Sequence, residues 1–247
     1  MDSQLYQGGL TCCQFTFSMR ICGKVLAIIF LSSASFIATA QTKEQLRDSL
    51  KAATELLSYH PDSTDLQLRK AGWNIQLEQW EYAKNEYDKI LSREPYNLSA
   101  LYYRAFVNER LHRFPFARLD YQAVLTIVPG HFEAQLGLAL LNEKDGRHTE
   151  ALDEINVLVE AHPDSALAYA ARAGIEKEQH MLSLAEYDYA QASRIDKDNV
   201  DYRLNRIELL IALNRKDEAL DQLDELTKRG VAYGKLILWY KKAKGKK

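Results

Sequence analysis

Four prolines, Pro61, Pro95, Pro129 and Pro163, stand at equal steps of 34 residues, and Lys197 takes the next place in the series. The same step carries a column of alanines, Ala83, Ala117, Ala151, Ala185 and Ala219. It also carries a second small column, Ala71, Ala105, Ala139 and Ala173, closed by Ile207. A bulky column runs Tyr87, Tyr121, Ile155, Tyr189 and Leu223. A chain with four columns in one register folds as an array: each unit makes the same element and buries its apolar face on its neighbours. With 5 prolines and 11 glycines among 247 residues and 47% hydrophobic residues, that element is helical and the core is sizeable.

With the proline at place 32 of each unit, the repeats are 64–97, 98–131, 132–165, 166–199 and 200–233. This arrangement resembles the tetratricopeptide repeat family, whose unit of 34 residues is two antiparallel helices with small residues at their crossing. The resemblance implies an all-α, right-handed solenoid of five antiparallel helix pairs. The departures are specific. The aromatic of the first helix is mostly replaced, by Gln67, Leu101, Gln135, Tyr169 and Arg203, and the glycine at place 8 is alanine in four repeats. The fifth repeat lacks the small residue at Ile207 and the final proline.

Local chemistry agrees with the boundaries. Ser63, Asn97, Ser165 and Asn199 precede first helices and are good N-caps, while His131 holds that place in the third repeat. Pro115 falls in the first turn of a second helix, and Gly146 in the turn between helices. Residues 41–63 hold an N-terminal capping helix, Lys43 to Ser58, with Leu46, Leu50, Ala53, Leu56 and Leu57 on one face. Residues 234–247 form a C-terminal cap and lysine-rich tail, with a short helix expected from Tyr233 to Lys242.

The N-terminus reads as an address. Met19-Arg20-Ile21-Cys22-Gly23-Lys24 is a basic start, Val25 to Leu31 is unbroken apolar sequence, and Ala38-Thr39-Ala40 is a cleavage site before Gln41. Residues 1–40 are therefore an N-terminal extension plus a cleavable signal peptide, with either translation starting at Met19 or an extended n-region. Export to the periplasm or cell envelope follows; the alternative is a membrane anchor left uncleaved. Val25 to Ala40 falls short of the ~20 apolar residues that span a bilayer. Cys12, Cys13 and Cys22 precede the cleavage site, so the mature chain would hold no disulfide, thiol nucleophile or cysteine metal site.

Catalytic signatures are lacking. His60, His112, His131, His148, His162 and His180 form no zinc-binding pattern, and neither a serine elbow nor a phosphate loop occurs. His112, His148 and His180 fall near helix turns along one edge, where solvated side chains are the expected reading. Carboxylates are scattered, so no acid/base pair can be named. No catalytic residue, metal ligand or cofactor is expected. A net charge of -2 argues against a nucleic-acid partner.

Two polar columns are structural expectations. Lys70 with Glu86, Arg104 with Asp120 and Arg172 with Asp188 share a spacing that lets them meet across a helix pair. Asn74, Asn108 and Asn142 are expected to make a stack of bonds between helices.

The family resemblance implies that first helices line a concave groove. Its protein-binding residues would be Leu68, Tyr102, Phe106, Glu109, Leu136, Leu140, Glu143 and Leu204, with some of the apolar ones packing on the next repeat. Family members that hold the C-terminal carboxylate of heat-shock chaperones use lysine and asparagine at places 5 and 9. Here those places carry Leu68, Tyr102, Leu136, Ala170 and Leu204, and Gly72, Phe106, Leu140, Gly174 and Glu208. The expected function is a non-catalytic scaffold or adaptor that binds a peptide segment or partner helix. The alternative is an envelope enzyme accessory or a ligand-binding protein that uses the repeat scaffold. Membrane contact would come only through the C-terminal lysines.

Overall fold

The computed structural model describes residues 43–245. The signal segment, the cleavage site before Gln41, the choice of Met19 as start and the last two lysines lie outside the described residues. Helix α1 (Lys43–Tyr59) precedes five pairs: α2 (Thr64–Gln76) with α3 (Trp80–Arg93), α4 (Leu98–Arg110) with α5 (Phe114–Ile127), and α6 (Phe132–Lys144) with α7 (His148–Ala161). Then come α8 (Ala166–Glu178) with α9 (Leu182–Ile195), α10 (Val200–Ala212) with α11 (Lys216–Lys228), and a final α12 (Tyr233–Ala243). The chain is an all-α solenoid.

Every first helix ends the same way. The backbone N–H groups of Gln79, Arg113, Arg147, Met181 and Arg215 each reach the carbonyl five residues back, at Asn74, Asn108, Asn142, Glu176 and Leu210, at 2.8 Å. The residue just before each of them, Glu78, His112, Gly146, His180 or Asn214, has a positive φ of 58° to 74°. This is the Schellman closure, in which a left-handed residue turns the chain and satisfies carbonyls that the helix leaves open. The same backbone turn therefore leads from each first helix to its partner.

Helix starts differ in detail from the sequence expectation. Asn97, Ser165 and Asn199 accept bonds from Ala100, Ala168 and Asp201, but the Ser63 side chain makes no such bond. His131 does the work instead in the third repeat, where its Nδ1 accepts from the Ala134 N–H at 3.3 Å. Imidazole can accept at Nδ1 when the proton sits on the other nitrogen.

The alanine columns are the crossing points. Ala71, Ala105, Ala139 and Ala173, and all five of Ala83, Ala117, Ala151, Ala185 and Ala219, are fully buried. Ile207 is equally buried, so the fifth repeat closes around a larger side chain. Tyr87, Tyr121, Ile155, Tyr189 and Leu223 fill the space between one pair and the next.

The departures from the family pattern have local reasons. Where an aromatic is expected, the Gln67 amide donates to the Pro61 carbonyl at 3.0 Å and accepts from Arg93, and Gln135 donates to Pro129 at 3.2 Å. Each glutamine thus ties its helix to the preceding proline turn. Arg203 reaches Glu225 at 3.1 Å across the fifth pair.

All three expected charge pairs form. Arg104 grips Asp120 with two nitrogens at 2.8 and 2.6 Å, and Arg172 grips Asp188 at 2.5 and 2.9 Å. Lys70 meets Glu86 at 3.0 Å. The two arginines also reach backward, to Asp88 at 2.8 Å and Asn156 at 3.0 Å, so they link neighbouring repeats as well as their own helices. The asparagine column is not a stack. Asn74, Asn108 and Asn142 are buried, but Asn108 donates to Asp120 at 3.4 Å while Asn142 accepts from Arg118 at 3.0 Å. Asn108 thus bonds to a charge of its own repeat, and Asn142 to a charge of the repeat before it.

The caps are one-sided. In α1, Leu46 and Ala53 are buried, whereas Leu56, expected on the same face, is exposed. In α12, Leu236 and Tyr240 are buried against α11 and Leu238 points to solvent.

Candidate functional site

Successive first helices touch: α2 meets α4, α4 meets α6, and α6 meets α8. Each second helix packs instead between its own first helix and the following one. The first helices therefore share a continuous surface, and it carries the residues expected to bind a partner.

The middle of this surface is aromatic. Tyr102 is half-buried among rings: 5.2 Å from Tyr103, 5.9 Å from Tyr121 and stacked on His131 at 5.8 Å. Burial, with Tyr103, Glu133 and Glu109 nearby, pushes its hydroxyl up to about 12. Phe106 and Trp80 meet in a T-shaped arrangement at 6.1 Å, and the Arg110 guanidinium lies 4.8 Å over the Trp80 ring. Such a cation over Trp contributes about 0.5–1 kcal/mol at an exposed site. Leu68 and Leu204 are half-buried against the core.

Two of the expected contact residues are not available to a partner. Leu136 and Leu140 are only 5% and 6% exposed, so they belong to the core of the solenoid.

The charged residues form a ladder along one lip. Lys144 on α6 pairs with Glu109 on α4. Glu143 accepts from Gln179, just past α8, at 2.7 Å, and meets His148 at 3.0 Å. Lys177 on α8 pairs with Glu208 on α10 at 2.6 Å. Each rung joins one repeat to the next, so Glu109 and Glu143 are engaged within the chain. Arg110, Gln76 and Glu178 stay exposed beside them.

A larger apolar exposure lies elsewhere and was not foreseen. Phe116 and Leu119 on α5 are 61% and 63% exposed, and Leu184 and Tyr187 at the same places on α9 are 54% and 59% exposed. Val157 on α7, between them, is also exposed. The signal was present as apolar residues at places 19 and 22 of the second and fourth repeats, on the helix face opposite the alanine column.

Two of the histidines share a backbone role. His112 and His180 occupy the left-handed turn place, and among the described residues no group of three or more His, Cys, Asp or Glu side chains is placed to hold a metal ion. An open polar recess of ≈ 480 Å³ lies between α1, α2 and α3. Its cations are already used: Lys70 and Lys89 pair with Glu86, and Arg93 with Asp62. One acid stands out in the core. Glu176 is 6% exposed, its Oε2 has no hydrogen-bond partner, and burial together with Asp188 pushes its carboxyl up to about 7 against the pull of Arg172.

The sequence signature of the tetratricopeptide repeat matches residues 109–166, which is the second half of this surface's central helix pair and the whole third pair. Residues 109–166 are thus similar to the tetratricopeptide repeat. A tetratricopeptide repeat protein from Parabacteroides merdae superposes with a TM-score of 0.63 at 21% identity, covering 81% of this chain and 78% of that one. PilW, described as a type IV pilus biogenesis factor, superposes with a TM-score of 0.65 at 18% identity, over 75% of this chain and 86% of its own. YrrB, described as a tetratricopeptide repeat protein with an unusual peptide-binding site, gives 0.52 at 18% identity, over 71% and 90%. No protein of curated function matches the chain. These similarities establish the tetratricopeptide fold, a scaffold on which proteins commonly meet other proteins.

Proposed function

We propose that this chain is a non-catalytic adaptor of the cell envelope, holding a peptide segment or a partner helix on the surface of α2, α4 and α6. The observation that carries the reading is the half-buried row Leu68, Tyr102 and Phe106, edged by the exposed Arg110 and Gln76. Aromatic side chains that are already packed give a partner rigid apolar contact at low entropic cost, and the charges around them fix its register. The comparison with YrrB, whose description names a peptide-binding site, supports the same use of the fold. The envelope location rests on the basic start, apolar run and Ala38-Thr39-Ala40 of the sequence.

A second reading has its own observation. Phe116, Leu119, Leu184 and Tyr187 make the outer side of α5 and α9 a second docking surface for protein. The two readings separate by mutation. Purification of the tagged full chain from its native host should recover a polypeptide at fixed stoichiometry. Loss of that polypeptide with Arg110→Glu supports the first-helix surface; loss only with Phe116→Ser and Tyr187→Ser together moves the site to the outer face. Recovery of no polypeptide from either would remove the adaptor reading.

A further inference from the structure

Charge is divided unevenly along this chain. From Leu226 to Lys247 the sequence holds eight lysines and arginines and no Asp or Glu, although the whole chain has a net charge of -2. The structure shows where the described part of this charge sits. Helix α12 is fixed to α11 by Leu236, Tyr240 and Ala243, all buried, and the Tyr240 hydroxyl donates to Asp224 at 2.6 Å. The opposite side of α12 is turned outward. It presents Leu238, 56% exposed, with the exposed Ile237 nearby and Lys241 and Lys242 one turn on, while the exposed Tyr233 flanks the helix with its ring 5.2 Å from that of Tyr240. The Lys242 ammonium lies 4.8 Å from the half-buried Trp239 ring, and the Lys244 ammonium 5.6 Å from Tyr240.

A solvated basic tail explains the lysines but not the leucine, isoleucine and tyrosine among them. An apolar patch ringed by ammonium groups, with an indole at its edge, has the chemistry of an element that lies at a lipid–water boundary. Lysine stems pass along apolar surface while their heads stay among phosphates, and aromatic rings settle at the headgroup level. No helix among the described residues is long and apolar enough to cross a membrane, so such a contact lies on the surface of the bilayer. A nucleic acid or acidic polysaccharide would meet the lysines but leave Leu238 and Ile237 against water.

We propose that the outward face of α12 docks this protein on membranes that carry anionic lipid. Leu238 and Ile237 enter the boundary between headgroups and acyl chains, and Lys241, Lys242 and Lys244 hold the phosphates. Because α12 is packed on α11, docking presents the repeat surface in one orientation rather than on a free tether. The attraction of each lysine corresponds to roughly a fivefold change in binding, from the ~1 kcal/mol typical near an anionic leaflet.

The test is co-flotation of the full chain with vesicles of phosphatidylcholine alone and of phosphatidylcholine with added phosphatidylglycerol. Binding should require phosphatidylglycerol and weaken as salt rises. Replacing Lys241, Lys242 and Lys244 together by Gln should reduce it more than tenfold, and replacing them by Arg should retain it. Leu238→Ser should reduce it roughly tenfold, as expected for one apolar side chain kept out of the boundary. All these side chains point outward, so circular dichroism and melting temperature should match the parent, which separates docking from folding. Equal flotation of the Gln variant, or flotation on phosphatidylcholine alone, overturns the proposal. Binding to heparin as strong as to vesicles and untouched by Leu238→Ser also overturns it, and assigns the face to a soluble polyanion.

Discussion

The ring of Tyr121 occupies the space where a β-carbon on Gly137 would stand: that carbon would lie 2.7 Å from the ring Cζ. Tyr121 is 1% exposed, on α5, and Gly137 lies on α6 of the next repeat. The missing side chain is therefore what lets the third pair close on the second.

Gly137→Ala should destabilise the protein by about 1–3 kcal/mol, the usual range for overpacking a core. Gly72 gives the control. It also lies in a first helix, but nothing stands within 4 Å of an added β-carbon there. Gly72→Ala should raise stability by up to about 1 kcal/mol, through helix propensity and the unfolded chain. Urea unfolding of both variants checks the pair; equal effects of one sign would contradict the packing described.

The left-handed turn place predicts a gain. Glu78 has a φ of 60°, a region that L side chains other than Asn and Asp avoid, and it is exposed. Glu78→Gly should leave the Schellman closure intact and stabilise by about 0.5–1 kcal/mol, the strain removed less the added chain entropy. Gly146→Val, with φ at 74°, should destabilise by at least as much. Thermal melts of the two read the sign directly.

Glu176 predicts a pH dependence. At the same place in repeat two, Asn108 donates to Asp120, whereas Glu176 can donate toward Asp188 only when protonated. Its folded value of about 7 lies above the ordinary carboxylate value of 4.5, so the folded state holds the proton more tightly. Its contribution is fully present below about pH 4.5 and is lost as pH rises through about 7. Glu176→Gln should therefore stabilise at pH 8, by on the order of 1–3 kcal/mol, and change little at pH 4.5. A parallel offset between the two proteins at both pH values would argue against a buried titrating acid.

Tyr102 and Phe106 contribute to the core as well as to the groove. The double change Tyr102→Ala with Phe106→Ala should lower stability by several kcal/mol, since aromatic deletions in packed sites typically remove 3–5 each when fully buried. Arg110→Ala should move stability by no more than about 1 kcal/mol, the value of its contact with Trp80. Partner affinity should fall in both. Circular dichroism beside a binding titration distinguishes the two variants.

The columns of proline and alanine were enough to place the five helix pairs, because a crossing point tolerates only small side chains and a proline ends the helix before it. Arg104 with Asp120 and Arg172 with Asp188 were legible for the same reason: their partners lie within one repeat. What crosses between repeats was not. Lys144 with Glu109 and Gln179 with Glu143 depend on how one unit rotates against the next, and no spacing in the sequence encodes that rotation. Leu136 is buried while Tyr102, at the same place of the repeat before it, stays half open, a difference that the repeat pattern alone does not encode. His112 and His180 read as an edge of side chains, yet their common feature is a left-handed backbone shared with Glu78, Gly146 and Asn214. The exposure of Phe116 and Tyr187 was not legible because an apolar residue on an amphipathic second helix reads equally well as part of its buried face.

Site-specific photocrosslinking in the native host tests the adaptor reading most directly. A photoreactive side chain at Gln76 or Arg110, exposed on first helices, should capture one polypeptide, and the same group at Asn85 or Asp221, exposed on second helices, should capture none. A partner captured only from the second helices, or no polypeptide captured from either surface, would contradict the account.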